Sequence, residues 1–192
     1  MNSIPQANST SSAESLLTKL VESLDQSQQE VLPQLHNQPR IIINGQPFGS
    51  KQQFQQLWAS LPASNHQITS CDVHEVPGMN NSSTFIILAH MKVRFDESGK
   101  NKLGETSLFN QQNVSSTRNI WSHWFGVSLT CVADASAASQ NFNTPCVSTF
   151  DYRFTENPIS SVFKVQWMRM LHQLCSLQIN ILLHYSTPLY NL

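Results

Sequence analysis

The stretch Thr84-Phe85-Ile86-Ile87-Leu88-Ala89-His90-Met91-Lys92-Val93-Arg94-Phe95 decides the fold. Apolar side chains recur in it at every second position, the period of a β-strand. At roughly 3.3 Å per residue it spans about 40 Å. Phe85, Ile87, Ala89, Met91, Val93 and Phe95 share one face, which reads as core. Ile86, Leu88, His90, Lys92 and Arg94 share the other, which is neither cleanly apolar nor cleanly polar. A strand this long needs neighbours, and the flanking sequence supplies them. Residues 66–76 alternate loosely and stop at Pro77-Gly78. Asp96 to Gly99 breaks the long strand, and a polar loop follows to about Asn119. Residues 121–134 set Phe125, Val127, Leu129, Cys131 and Ala133 against Trp124, Ser128, Thr130 and Val132. After a short turn from Ala135 to Thr144, residues 145–155 set Phe150, Tyr152 and Phe154 against Thr149, Asp151 and Arg153.

Upstream the period changes to that of a helix. Ser11 with Glu14 forms a capping box, and Leu16, Leu17, Leu20, Val21 and Leu24 follow at helical spacing, so 12–25 is expected to be an amphipathic helix after a flexible 1–11. A weaker helical turn is expected over Gln28 to Leu35, limited by Pro33. Arg40-Ile41-Ile42-Ile43-Asn44 reads as a short strand closed by Gly45. Ser50 caps a second helix carrying Phe54, Leu57, Trp58 and Leu61, which Pro62 stops. Helices grouped first and strands last predict an α+β fold, with an antiparallel sheet of about five strands packed by about three helices.

Composition narrows the function. The chain has 192 residues, enough for one ordinary domain. Only 12% are Asp, Glu, Lys or Arg, about half the usual share of roughly 25%. Sixty Ser, Gln and Asn residues fill the gap, and the formal net charge is -1. No global basic field exists to grip nucleic acid through its phosphates. Cys71, Cys131, Cys146 and Cys175 show no metal-site or redox spacing and are expected to be reduced and mostly buried. Met1 to Ser12 is polar and lacks an apolar core, so no secretory signal is expected. No hydrolase elbow, phosphate loop, dinucleotide glycine run or zinc-protease motif is present. Asp72 and His74 lie two apart on a strand, and His90 and Asp151 are further loose acid–base candidates. The expectation for all four is a solvated or partner-facing strand position. Trp121 and Trp124 flank His123 and suit core or interface anchoring better than base stacking.

The second face of the long strands therefore carries the functional reading. Ile86, Leu88, Trp124, Val132 and Val147 are interleaved with His90, Lys92, Arg94, Asp151 and Arg153, and Ser128, Thr130 and Thr149 share this side. A few helices can cover only one face of such a sheet, and a solvated second face is normally polar throughout. Apolar residues mixed with pairable charges fit a protein–protein interface, here one sheet docked on another.

The element order resembles the nuclear transport factor 2-like fold, a cone of helices on a curved antiparallel sheet. Within it, Lys92-Val93-Arg94-Phe95-Asp96-Glu97-Ser98-Gly99-Lys100 resembles the fungal mRNA transport regulators, as do Arg40 to Phe48, Phe54 to Trp58, His74 to Gly78 and Trp124 to Leu129. The likeness runs over about 12–165. It implies a non-enzymatic adaptor without cofactor or metal, the small subunit of an mRNA export receptor. Such a subunit pairs through its sheet face with the large subunit and carries messenger ribonucleoprotein through nuclear pores by touching Phe-Gly nucleoporins. It shuttles between nucleus and cytoplasm and also assists large ribosomal subunits. The loop 96–120, with Lys100, Lys102 and Arg118, is the expected RNA or ribosome contact. It is short for the family.

Residues 166–192 fall outside the likeness and place Trp167, Met170, Leu171, Leu174, Leu177 and Ile181 at near-helical spacing. Arg169, His172, Gln173, Gln178 and Asn180 interrupt them, so no membrane span is expected. This tail reads as an added docking helix or, preferred, as unspliced or frame-shifted sequence. Two rival functions stand beside the export reading. One is a homodimeric import carrier of the same fold. The other is a small dehydratase or isomerase, which requires Asp72, His74 or another acid–base pair to face the cone cavity.

Overall fold

The strict alternation of the long strand becomes β4, Ser83–Phe95, whose odd-numbered residues from Phe85 to Phe95 are all buried. The structure, a computed structural model, describes residues 6–26, 31–79, 82–98, 100–104, 121–140 and 144–155. The tail expected at 166–192 lies outside the described residues. β4 pairs antiparallel with β3, Ser64–Pro77, and with β5, Phe125–Asp134. β5 pairs antiparallel with β6, Val147–Phe154. β6 lies beside β1, Leu35–Ile43, which carries β2, Gln46–Phe48, at the sheet edge.

The inner face is closed by helices. α1, Gln6–Asp25, buries Leu16, Leu17, Leu20 and Leu24. α2, Lys51–Ser60, buries Phe54, Leu57 and Trp58, and the Ser50 hydroxyl accepts from the Gln53 N–H as the expected cap. Phe54, Trp58, Phe150 and Tyr152 then form one aromatic cluster, with adjacent ring centroids 5.5–6.3 Å apart.

The α+β class is as expected, and several details differ from the sequence reading. The sheet has six strands and is mixed, because β1 runs parallel to β6. β1 forms a hairpin with β2, turned by Asn44 and Gly45 at φ 50° and 79°. α1 starts at Gln6, so residues 6–11 are helical rather than flexible. Neither Gly nor Pro occurs in 6–11, and the turns propagate back past the expected cap. The turn expected up to Leu35 is not helical where it is described, since β1 starts at that residue. Residues 135–140 form a short helix, α3, whose start is capped by Asp134 accepting from the Ala137 N–H at 2.8 Å. Val147 is buried on the inner face, because a register shift between Val132 and Ala133 changes the parity of the pairing.

The two serines expected as caps make a paired test. Ser50→Ala should cost about 1 kcal/mol in urea unfolding, because a helix N–H loses its acceptor. Ser11→Ala, now inside α1, should change stability by less than about 0.5 kcal/mol.

Candidate interaction surface

The interior leaves little open chemistry on the inner face. α1 ends against the sheet, and the Leu24 carbonyl accepts from Trp58 Nε1 at 3.0 Å and from Lys102 Nζ at 2.5 Å. Lys102 Nζ also donates to Ser64 Oγ at 2.6 Å, and that hydroxyl donates to Asp25 Oδ1 at 2.8 Å. Asp25 Oδ2 accepts from the His66 backbone N–H at 2.7 Å. The His66 ring lies between Asp25 Oδ1, 2.5 Å from Nδ1, and the Tyr152 hydroxyl, 2.9 Å from Nε2.

Burial pulls the His66 ring below its usual pKa, more than its hydrogen bond to Asp25 restores. His66 is therefore neutral at pH 7, with Nδ1–H donating to Asp25 and Nε2 accepting from Tyr152. Burial pushes the Asp25 carboxyl up, but the donors of His66 and Ser64 outweigh it and hold the group below its usual value. Burial pushes Lys102 down to about 8, against the pull of Asp25.

This is an acid–base pair inside the cone, but both imidazole nitrogens are engaged by protein groups. Asp72 and His74, the pair a cone-cavity enzyme was expected to use, are exposed on β3, in register with Leu88 and Ile86 of the opposite face. The sequence carries no local sign of the interior pair, because Asp25 and His66 are 41 residues apart. Lys102, expected in an RNA-contacting loop, is 1% exposed and spends its donors on Leu24 and Ser64. It is withdrawn from that role. Lys100 is half-buried, and Arg118 lies outside the described residues.

The outer face gathers all twelve residues expected for an interface. The pairings set them in rows: Asp72, Leu88, Thr130 and Asp151 form one, and His74, Ile86, Val132 and Thr149 the next. His90, Ser128 and Arg153 form a third. Leu88 is 39% exposed at the centre, with half-buried Ile86 and Val132 beside it. Arg153 is clamped to Asp151 by two hydrogen bonds, from Nε at 2.8 Å and Nη2 at 2.6 Å.

Aromatic residues sit at the end of β4. The Phe95 N–H donates to Ser122 Oγ at 3.0 Å, and Asp96 bridges to Trp121, so the chain returning after the loop is pinned across the strand end. Asp96 is itself locked, accepting from the Ser98 N–H and hydroxyl. Trp121 and Trp124 thereby flank Arg94, whose Cζ is 4.8 Å from each ring centroid, and Lys92 Nζ is 4.9 Å from Trp124. Trp124 is 36% exposed, next to Arg94 on the outer face.

With this geometry in place, comparison with known proteins identifies the relatives. The family profile described as "Nuclear pore RNA shuttling protein Mtr2" matches residues 7–165. The mRNA transport regulator MTR2 of Candida albicans is 43% identical over 136 residues, 65% of this chain and 72% of that protein. The protein of the same name from Saccharomyces cerevisiae is 33% identical over 141 residues, 67% of this chain and 74% of that protein. The chain is also similar to one in the crystal structure of the C. albicans Mtr2–Mex67 M domain complex, with TM-score 0.66 and 36% identity over 79% of this chain and 98% of that chain. The α+β architecture that the sequence predicts, helices on one face of a six-stranded sheet, is shared with that C. albicans Mtr2 chain.

The interior pair has a pH signature. Because the folded pKa of His66 is depressed, unfolded chains take up its proton first as pH falls below 6.5. Its contribution to stability is full above pH 6.5 and is lost as pH falls through the folded pKa. The wild type should lose stability between pH 6.5 and lower values in urea unfolding, and His66→Gln should flatten that part of the profile.

Proposed function

The chain belongs to the family of the nuclear pore RNA shuttling protein Mtr2, whose members are transport regulators and not enzymes, and on that premise we propose that it is the small subunit of an mRNA export receptor. It docks through its outer sheet face on the fold-related domain of the large subunit. The observation that carries this reading is the outer face itself. Helices already close the inner face, while Leu88 and Trp124 stay exposed on the other, amid Ile86, Val132 and a rim of charge. A C. albicans relative is described in complex with the Mex67 M domain, a partner of the kind this face suits.

Further steps follow from the same reading. The heterodimer carries messenger ribonucleoprotein and offers shallow apolar pockets to Phe-Gly nucleoporins, where many weak contacts combine avidity with fast exchange. Its place of work is the nuclear pore, and it shuttles between nucleus and cytoplasm. Contact of the loop 96–120 with RNA or a ribosomal subunit rests on Lys100 and Arg118, since Lys102 is spent inside.

The test is binding of the purified chain to the C. albicans Mex67 M domain. Leu88→Asp should weaken it about 100-fold or more, because a charge would be buried without a partner. The thermal midpoint of the free chain should hold, since Leu88 is already 39% exposed. Equal binding by the variant overturns the proposal, as does a wild-type chain that forms homodimers and ignores the M domain.

A further inference from the structure

We propose that Arg94 is a carboxylate receptor that takes an Asp or Glu side chain of the docked partner. This rests on the docking reading above and names the chemistry at one end of that face.

Arg94 carries an unmet donor. Arg94 Nε is buried and has no hydrogen-bond partner among the described residues. Buried donors are nearly always met, and an unmet one costs free energy until an acceptor arrives. Arg153 shows the contrast on the same face, because Asp151 satisfies it from two residues away. Arg94 is flanked by indoles instead, and Lys92 stands over Trp124 beside it. Among the described residues neither Lys92 nor Arg94 has a carboxylate partner. Among the described residues the cluster is thus a pair of cations without counter-charge, on a chain of formal net charge -1.

The shape of the site selects the ligand. Arg94 Cζ lies 4.8 Å from the centroid of each indole, and a guanidinium carries its N–H donors along the edge of its plane. A planar two-oxygen acceptor meets that edge in parallel bonds, which is carboxylate geometry. Lys92 adds a second positive charge and raises the bias toward an anion. RNA fits less well. The rings of Trp121 and Trp124 are occupied by these cations, which removes those surfaces from base stacking, and the chain offers no wider basic field. The scaffold is fixed in advance by Ser122 and Asp96, so an incoming carboxylate finds its receptor already oriented.

The experiment measures affinity of the full chain for the C. albicans Mex67 M domain at low and high salt, with single-stranded poly(U) RNA as a second probe. Arg94→Met should weaken M domain binding about 30-fold or more, with the loss shrinking as salt rises. Arg94→Lys keeps charge without the fork and should recover little of it. Both variants should unfold at the wild-type temperature; the Lys variant, which keeps a cation beside the indoles, gives the reading if the Met variant does not fold. If Leu88→Asp abolishes binding while both Arg94 variants bind like wild type, the carboxylate assignment falls and the docking reading stands. If Arg94→Met loses poly(U) but keeps the M domain, the site takes phosphate and the assignment is overturned. If the wild type does not bind the M domain, the docking reading falls and this assignment with it.

Discussion

Helix α1 ends against the sheet, and the carbonyl of buried Leu24 in its last turn must still be satisfied. The rest of the structure depends on how that is done. The Leu24 carbonyl and the Asp25 side chain together receive donors from Trp58 of α2, from Ser64 and His66 of β3, and from Lys102 of the segment after β4. His66 passes the connection to Tyr152 of β6. One helix end therefore fastens another helix, two strands and the start of a loop. The cation at this end also complements the negative pole of α1. A chain with so few charges buries one of its lysines here, which makes Lys102 a structural residue.

That closure decides what is left for function. With the aromatic cluster of Phe54, Trp58, Phe150 and Tyr152 filling the interior beside His66, the inner side of the sheet is committed to stability. The outer face keeps the other half of every alternating strand. On β4 and β5 those positions hold Leu88, Ile86 and Val132 among Thr130, Ser128 and Lys92, a composition that suits partial burial against a protein. A sheet-docking adaptor needs such a face together with a rigid backing. Both come from the same strands.

Much of this was legible from local pattern. Period two in residues 84–95 placed β4 and both its faces, and Ser50 with Phe54 and Trp58 placed α2 and its buried side. What escaped was set by distant partners. The parallel pairing of β1 with β6 depends on where a hairpin docks, and Val147 turned inward because of an irregular register near Val132. α3 was hidden in a run of Ala and Ser that reads equally as a turn. Asp25, His66 and Lys102 gave no signal, because their meeting is a product of the tertiary fold. Eleven of the twelve outer-face residues were readable because strand parity assigns them, and Trp124 stands one residue before β5. The edge chemistry of Arg94 was not readable, since Trp121 reaches it only through the bridge at Asp96.

The central claim is that the outer face docks a partner while the inner face does not. Hydroxyl-radical footprinting of the chain with and without the C. albicans Mex67 M domain tests it most directly. Trp124 and Leu88, at 36% and 39% exposure, should be protected in the complex, while Met79, 88% exposed beyond the end of β3, should stay reactive. Protection of Met79 with Trp124 and Leu88 unchanged would contradict the account.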